Sequence, residues 1–173
     1  NVYVVDSRNL STGSGLLVLE AAERAAAGES PEDIVRQMRE TAEKVEASFV
    51  IDTLFYLQMG GRCSSLVAMG ANLLKLKPCI EVRNGSMGVG KKYRGKIESC
   101  IAQYVRDRLG GRDDIRRSRI FITHSGCSPE IVRTVRGIVE ECGGFEEILE
   151  TTAGCTISNH CGPNTLGVLF IRK

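Results

Sequence analysis

The sequence has no tryptophan, only two histidines and four prolines, and aromatics fill 5% of its 173 positions. So thin an aromatic content offers no platform for stacking bases. A charge bias is missing too: 23 basic against 21 acidic side chains leave a formal net charge of +2. Nucleic-acid binders and proteins dedicated to anionic membranes carry a stronger basic excess, so neither is expected here. There is no long hydrophobic run. The longest uncharged stretch, 151–171, holds three glycines, a proline, two asparagines and a histidine, which excludes a membrane-spanning helix. No basic leader opens the chain, which starts Asn1-Val2-Tyr3-Val4-Val5-Asp6, so no secretion signal is expected. None of the seven cysteines forms a Cys-x-x-Cys pair, which argues against a zinc ribbon or a thioredoxin-type redox site. Their odd number reads as reduced thiols of a cytoplasmic protein, mostly small core residues. Two histidines without an acidic cluster predict no metal site.

What is present reads as an α/β chain, long enough for one domain or two small lobes. Residues 2–5 are predicted as a buried strand. A glycine-rich entry, Ser11-Thr12-Gly13-Ser14-Gly15, leads into a helix that stops at Gly28. The abrupt start inside a core strand predicts that residues N-terminal to Asn1 are missing. Ser30-Pro31-Glu32-Asp33 is a helix N-terminus, with the helix running to about Glu46. Strands are predicted at 48–52, 119–123, 145–150 and 166–171. Asn84-Gly85 marks a hairpin between 78–82 and 86–90. Helices are predicted at 54–59, 65–74, 95–109 and 129–142, and the charge run 112–119 as a solvated loop. A lobe boundary is placed near residue 47, giving 1–47 and 48–173.

Four places have chemistry to offer. Ser11 and Gly13 sit where a helix start points free N–H groups outward, which suits a carboxylate or phosphate; a plain helix cap reads equally from the spacing. Gly60-Gly61 directs the Arg62 guanidinium, a natural carboxylate partner, unless the glycines only cap a helix. His160 is held beside the Gly162-Pro163 turn, which suits hydrogen bonding or proton transfer. Lys91, Lys92, Arg94 and Lys96 form a basic stretch for an acidic partner, or else a solvated helix start. His124-Ser125-Gly126 is the nearest approach to a serine nucleophile, without the Gly-x-Ser-x-Gly elbow.

Taken in order, these pieces resemble a known family. Val4-Val5-Asp6-Ser7 with Ser11, Gly13 and Gly15, then Ile51-Asp52-Thr53-Leu54 through Gly60-Gly61-Arg62, are similar to DegV-family motifs. Asn72-Leu73-Leu74, Lys77-Pro78, the Asn84-Gly85 hairpin, Lys92 and Arg94 follow in family order. His160-Cys161-Gly162-Pro163-Asn164 resembles the family's terminal His-x-Gly-Pro-Gly pattern, with Asn164 where glycine is usual. Asparagine tolerates left-handed backbone, so the turn is expected to survive.

The resemblance implies a two-lobe fold with a lipid site between the lobes and the first lobe incomplete in this chain. It implies a bacterial protein that binds a long-chain fatty acid and presents the carboxylate to a separate fatty acid kinase subunit. That subunit uses ATP to form an acyl-phosphate for phospholipid synthesis; the carrier needs no cofactor and is not itself an enzyme. Ser11, Arg62 and His160 match the family's head-group residues, and Leu16, Leu17, Leu19, Leu73 and Leu74 are candidates for a tail tunnel or for plain core. The alternative is a small-molecule hydrolase or phosphotransferase using His160 and Arg62.

Overall fold

The computed structural model of the chain describes residues 1–62 and 76–173. The expected helix at 65–74, with Leu73 and Leu74, lies outside the described residues. Six strands are present: β1 (Val45–Val50), β2 (Leu76–Arg83), β3 (Ser86–Arg94), β4 (Ile115–Ser125), β5 (Glu147–Thr152) and β6 (Thr165–Arg172). They form one mixed sheet in the order β3-β2-β1-β6-β4-β5. Every neighbouring pair is antiparallel except β4 with β5. That parallel pair needs a crossover, supplied by helix α5 (Pro129–Cys142). The expected α/β class is what the structure shows.

Side chains alternate across the strands, so each face gathers its own core. On one face Ile120, Ile122, Val168 and Phe170 pack under α5 and α4 (Ile97–Leu109). On the other, Val45, Ala47, Phe121, Leu169 and Ile171 pack under α1 (Ser11–Ala26) and α2 (Pro31–Ala42). A smaller cluster of Phe49, Ile51, Leu57, Ile80 and Cys161 lies beneath two short helices, α3 (Phe55–Met59) and α6 (Cys155–Cys161). The boundary expected near residue 47 falls inside β1.

Local signals placed several elements correctly. Ser30 caps α2 by accepting from the Asp33 amide at 3.2 Å, and Ser128 caps α5 by accepting from Ile131 at 3.4 Å. Each is followed by proline, which needs no partner there. Asn84 and Gly85 both take positive φ, 52° and 76°, the pair that a tight β-hairpin turn demands.

Four expectations need correction. Residues 2–5 form no strand: Val2 and Val4 are 92% and 81% exposed, and only Val5 of the run packs against the core beneath α1. No strand among the described residues pairs with this segment, and an unpaired strand has no ladder to hold it. The charge run is not a solvated loop, because β4 begins at Ile115. Arg112 stacks over Phe170, Arg117 over Phe145, and Arg119 bonds Glu23 and Glu147, so the guanidiniums are partnered. Lys91, Lys92 and Arg94 lie on β3 and only Lys96 caps α4. Finally, α2 ends at Ala42, since Val45 and Ala47 take a strand's alternation, and α6 was not anticipated.

Candidate functional site

The first turn of α1 is pinned to the sheet by hydroxyls. Thr12 Oγ1 shares a hydrogen bond of 2.6 Å with Thr123 Oγ1 on β4, which shares one of 3.0 Å with Thr151 Oγ1 on β5. Ser7 and Ser14 Oγ lie 2.9 Å apart and tie the entry segment to the same turn. Gly13 is buried, and a Cβ there would run into the Asn9 side chain. Ser11 takes φ 50° and no side chain caps the helix, while the Gly13 N–H donates to the Leu10 carbonyl at 3.0 Å. The Ser11 hydroxyl makes no hydrogen bond among the described residues.

His160 and Arg62 each reach Gly60, His160 through a reciprocal fit of α3 and α6. The His160 imidazole lies against Gly60, where a Cβ would collide with Nδ1. In return the Tyr56 ring lies across Gly162, whose φ of 77° already favours glycine. Arg62 is exposed and its Nη1 donates to the Gly60 carbonyl at 3.1 Å. His160 Nδ1 is buried with no partner among the described residues, a state that costs free energy unless a ligand or water relieves it. Asn164 takes φ 58°, as the turn requires, and its side-chain amide donates to Asp52 Oδ2 at 3.4 Å.

Between α1 and α6 the sheet carries a small apolar cavity of about 30 Å³. Ser11 and Leu10 line it from the α1 side, Ile157 and Cys161 from α6, and Phe49, Ala47 and Leu169 from the sheet. Register places Phe49, Gly167 and Thr123 side by side on β1, β6 and β4. Gly167 lines the floor of the cavity between these neighbours, and a Cβ there would meet the Ser48 carbonyl oxygen at 2.5 Å, so the glycine lets β1 approach closely. Ala47 and Gly167 were not singled out as site residues from the sequence. The usable signal was a lone glycine in an apolar strand, which marks a close approach by another group. Leu16 and Leu17 do not line the cavity; with Leu19 they belong to the core under α1.

A larger cavity of about 370 Å³ lies where β1 and β2 diverge beyond the Ala47–Val82 pair. It is walled by charge: Arg108 bonds Glu46 and Glu81, and Arg83 bonds Glu81. Side chains so paired make a poor bed for an apolar ligand.

Nucleophiles are poorly placed. His124 and Ser125 are adjacent on β4, so their side chains face opposite sides of the sheet and form no pair. Burial pushes the Cys79 thiol up to about 12, and those of Cys127 and Cys161 to about 11, which keeps all three protonated.

The sequence model of the DegV family (COG1307) matches residues 1–173. The chain belongs to the DegV family. A DegV domain-containing protein of Caldanaerobacter subterraneus is 31% identical over 99% of this chain and 61% of its own length. A fatty-acid-binding DegV-family protein from Thermus thermophilus superposes with a TM-score of 0.82 at 28% identity, over 99% of this chain and 61% of that one. DegV of Bacillus subtilis, a fatty acid binding protein, gives 0.79 at 28% identity, over 100% and 61%. The fatty acid kinase B3 protein of Streptococcus pneumoniae, solved with linoleic acid, shares the fold, with a TM-score of 0.85 at 20% identity over 100% and 60%. This DegV chain thus spans about three-fifths of the length of its relatives. No helix among the described residues is long and apolar enough to cross a membrane.

Proposed function

We propose that this protein binds a long-chain fatty acid, with its carboxylate near Ser11, Arg62 and His160 and its tail in the cavity above Gly167. The observation that carries this reading is that apolar cavity, opening between a helix start with no side-chain cap and the helix that holds His160, whose Nδ1 has no partner among the described residues. Fatty-acid binding by the relatives from T. thermophilus and B. subtilis supports it.

The magnitudes divide the labour. Burying a methylene contributes about 0.8 kcal/mol, so a long tail supplies most of the affinity. A carboxylate left unpaired in an apolar site costs several kcal/mol, so the head group dictates orientation. A cavity of 30 Å³ holds one water-sized guest. The tail therefore enters as Ile157 and Cys161 move off the sheet, α6 being bounded by Gly154 and Gly162.

The same proposal places the head group at the junction with the remainder of the family's length, as the site between two lobes. There a separate ATP-dependent kinase subunit would reach the carboxylate and form the acyl-phosphate. Within the basic stretch Lys91 to Lys96, Lys92 and Arg94, exposed on β3, and Lys96, exposed at the start of α4, are available to meet it. A hydrolase or phosphotransferase built on His160 and Arg62 is the weaker reading, since His160 Nδ1 has no carboxylate to orient it among the described residues.

The test is uptake of oleic acid by the delipidated full-length protein, titrated calorimetrically. Ser11→Ala, Arg62→Ala and His160→Ala should each weaken binding roughly tenfold to a hundredfold, the worth of one hydrogen bond to a charged group. Unchanged affinity in all three would remove the head-group assignment.

A further inference from the structure

Cross-strand register gives the cavity a direction. On its face of the sheet, Thr165 pairs with Ser125, the next row is Phe49, Gly167 and Thr123, and the next is Ala47, Leu169 and Phe121. Polarity falls along these rows, from hydroxyls, through the gap at Gly167, to apolar side chains alone. Beyond the third row Val45 and Ile171 are sealed over by Leu16, Leu17, Met38 and Ala42. The first row is the α6 end, where the Cys161 carbonyl accepts from Thr165 Oγ1 at 3.0 Å. An amphiphile lying here places its head toward the first row and its terminal methyl toward the third.

We infer that the Ala47–Leu169 pair is the stop for the acyl terminus, so that these two side chains set the chain length the protein accepts. The inference rests on the fatty-acid reading above. Both residues are buried, both line the cavity, and they face each other in register across β1 and β6. A stop made from one small and one large side chain can be moved either way. Enlarging Ala47 shortens the trough, and truncating Leu169 lengthens it.

The test uses the delipidated full-length protein and a mixture of dodecanoic, tetradecanoic, hexadecanoic, octadecanoic and eicosanoic acids, with bound acids read by native mass spectrometry. Ala47→Leu should raise the ratio of bound tetradecanoic to octadecanoic acid about tenfold, the worth of two lost methylene contacts. Leu169→Ala should shift the ratio the opposite way. Both variants disturb the same core, so mere loosening would weaken all acids alike. Opposite shifts support the inference; an unchanged order, or shifts of one sign, overturns it. Should either variant fail to fold, Ala47→Val and Leu169→Val replace them under the same criteria. Absence of uptake by the wild type would overturn the fatty-acid reading itself, whereas uptake with an unshifted order would overturn this inference alone.

Discussion

Tyr104 sits fully buried on α4, and its hydroxyl holds the two central strands together. It donates to the Ser48 carbonyl at 2.6 Å, accepts from the Val168 amide at 3.0 Å, and lies 2.9 Å from Ser48 Oγ. Burial pushes its ionisation well above the usual tyrosine range, so it stays a neutral donor. Tyr104→Phe would leave the Val168 N–H buried without its partner. We expect a loss of about 1–3 kcal/mol, read as a lower urea midpoint at unchanged slope; a midpoint within error of wild type would contradict this. The candidate site was partly legible at this scale. Ser11, Arg62 and His160 stand out because a charged or polar group beside glycines has an obvious use, and the structure joins Arg62 and His160 at Gly60. Gly167 and Ala47 were not legible, since a missing side chain means something only once Phe49 and Thr123 are known to flank it.

Elements with local causes could be read from the sequence, and those that depend on distant pairing could not. Ser30-Pro31 and Ser128-Pro129 announce helices because a cap acts within one turn, and Asn84-Gly85 announces a hairpin for the same reason. The start of β4 was hidden because Arg116, Arg117 and Arg119 look like a solvated run until Glu20, Phe145, Glu23 and Glu147 come to meet them. α6 was hidden in a polar stretch; it is held by α3 through the exchange of His160 for Gly60 and Tyr56 for Gly162. That exchange predicts a strong effect of Gly162→Ala, because the new methyl meets both a left-handed backbone and the Tyr56 ring. A loss of about 1–3 kcal/mol is expected, with weakened fatty-acid binding, since His160 loses its seat. A variant as stable and as tight-binding as wild type would refute the interlock.

Across the whole molecule, charge adds a second set of ties between elements that already pack together. Glu46 on β1 meets Arg108 and Arg112, so the central strand and the α4 end are joined. Asp107 on α4 similarly gathers the Lys91 ammonium at 2.6 Å, the Tyr93 hydroxyl at 2.9 Å and the Gln103 amide at 2.9 Å. Burial pushes its carboxyl up, but those donors outweigh it and hold the value below the usual aspartate range. A carboxyl depressed in the folded state adds stability above its unfolded value, near 3.9 for aspartate, and that contribution is lost as pH falls through the folded value. Asp107→Asn should therefore flatten the decline of Tm on acidification from about pH 5 to about pH 2, and parallel curves would reject this role.

The central claim is that an acyl chain fills the trough above Gly167. Native mass spectrometry of the full-length protein as purified, followed by organic extraction, tests it most directly. The account predicts one long-chain fatty acid per protein, lost on delipidation and regained on adding oleic acid. A protein that carries no lipid and takes none up after delipidation would contradict it.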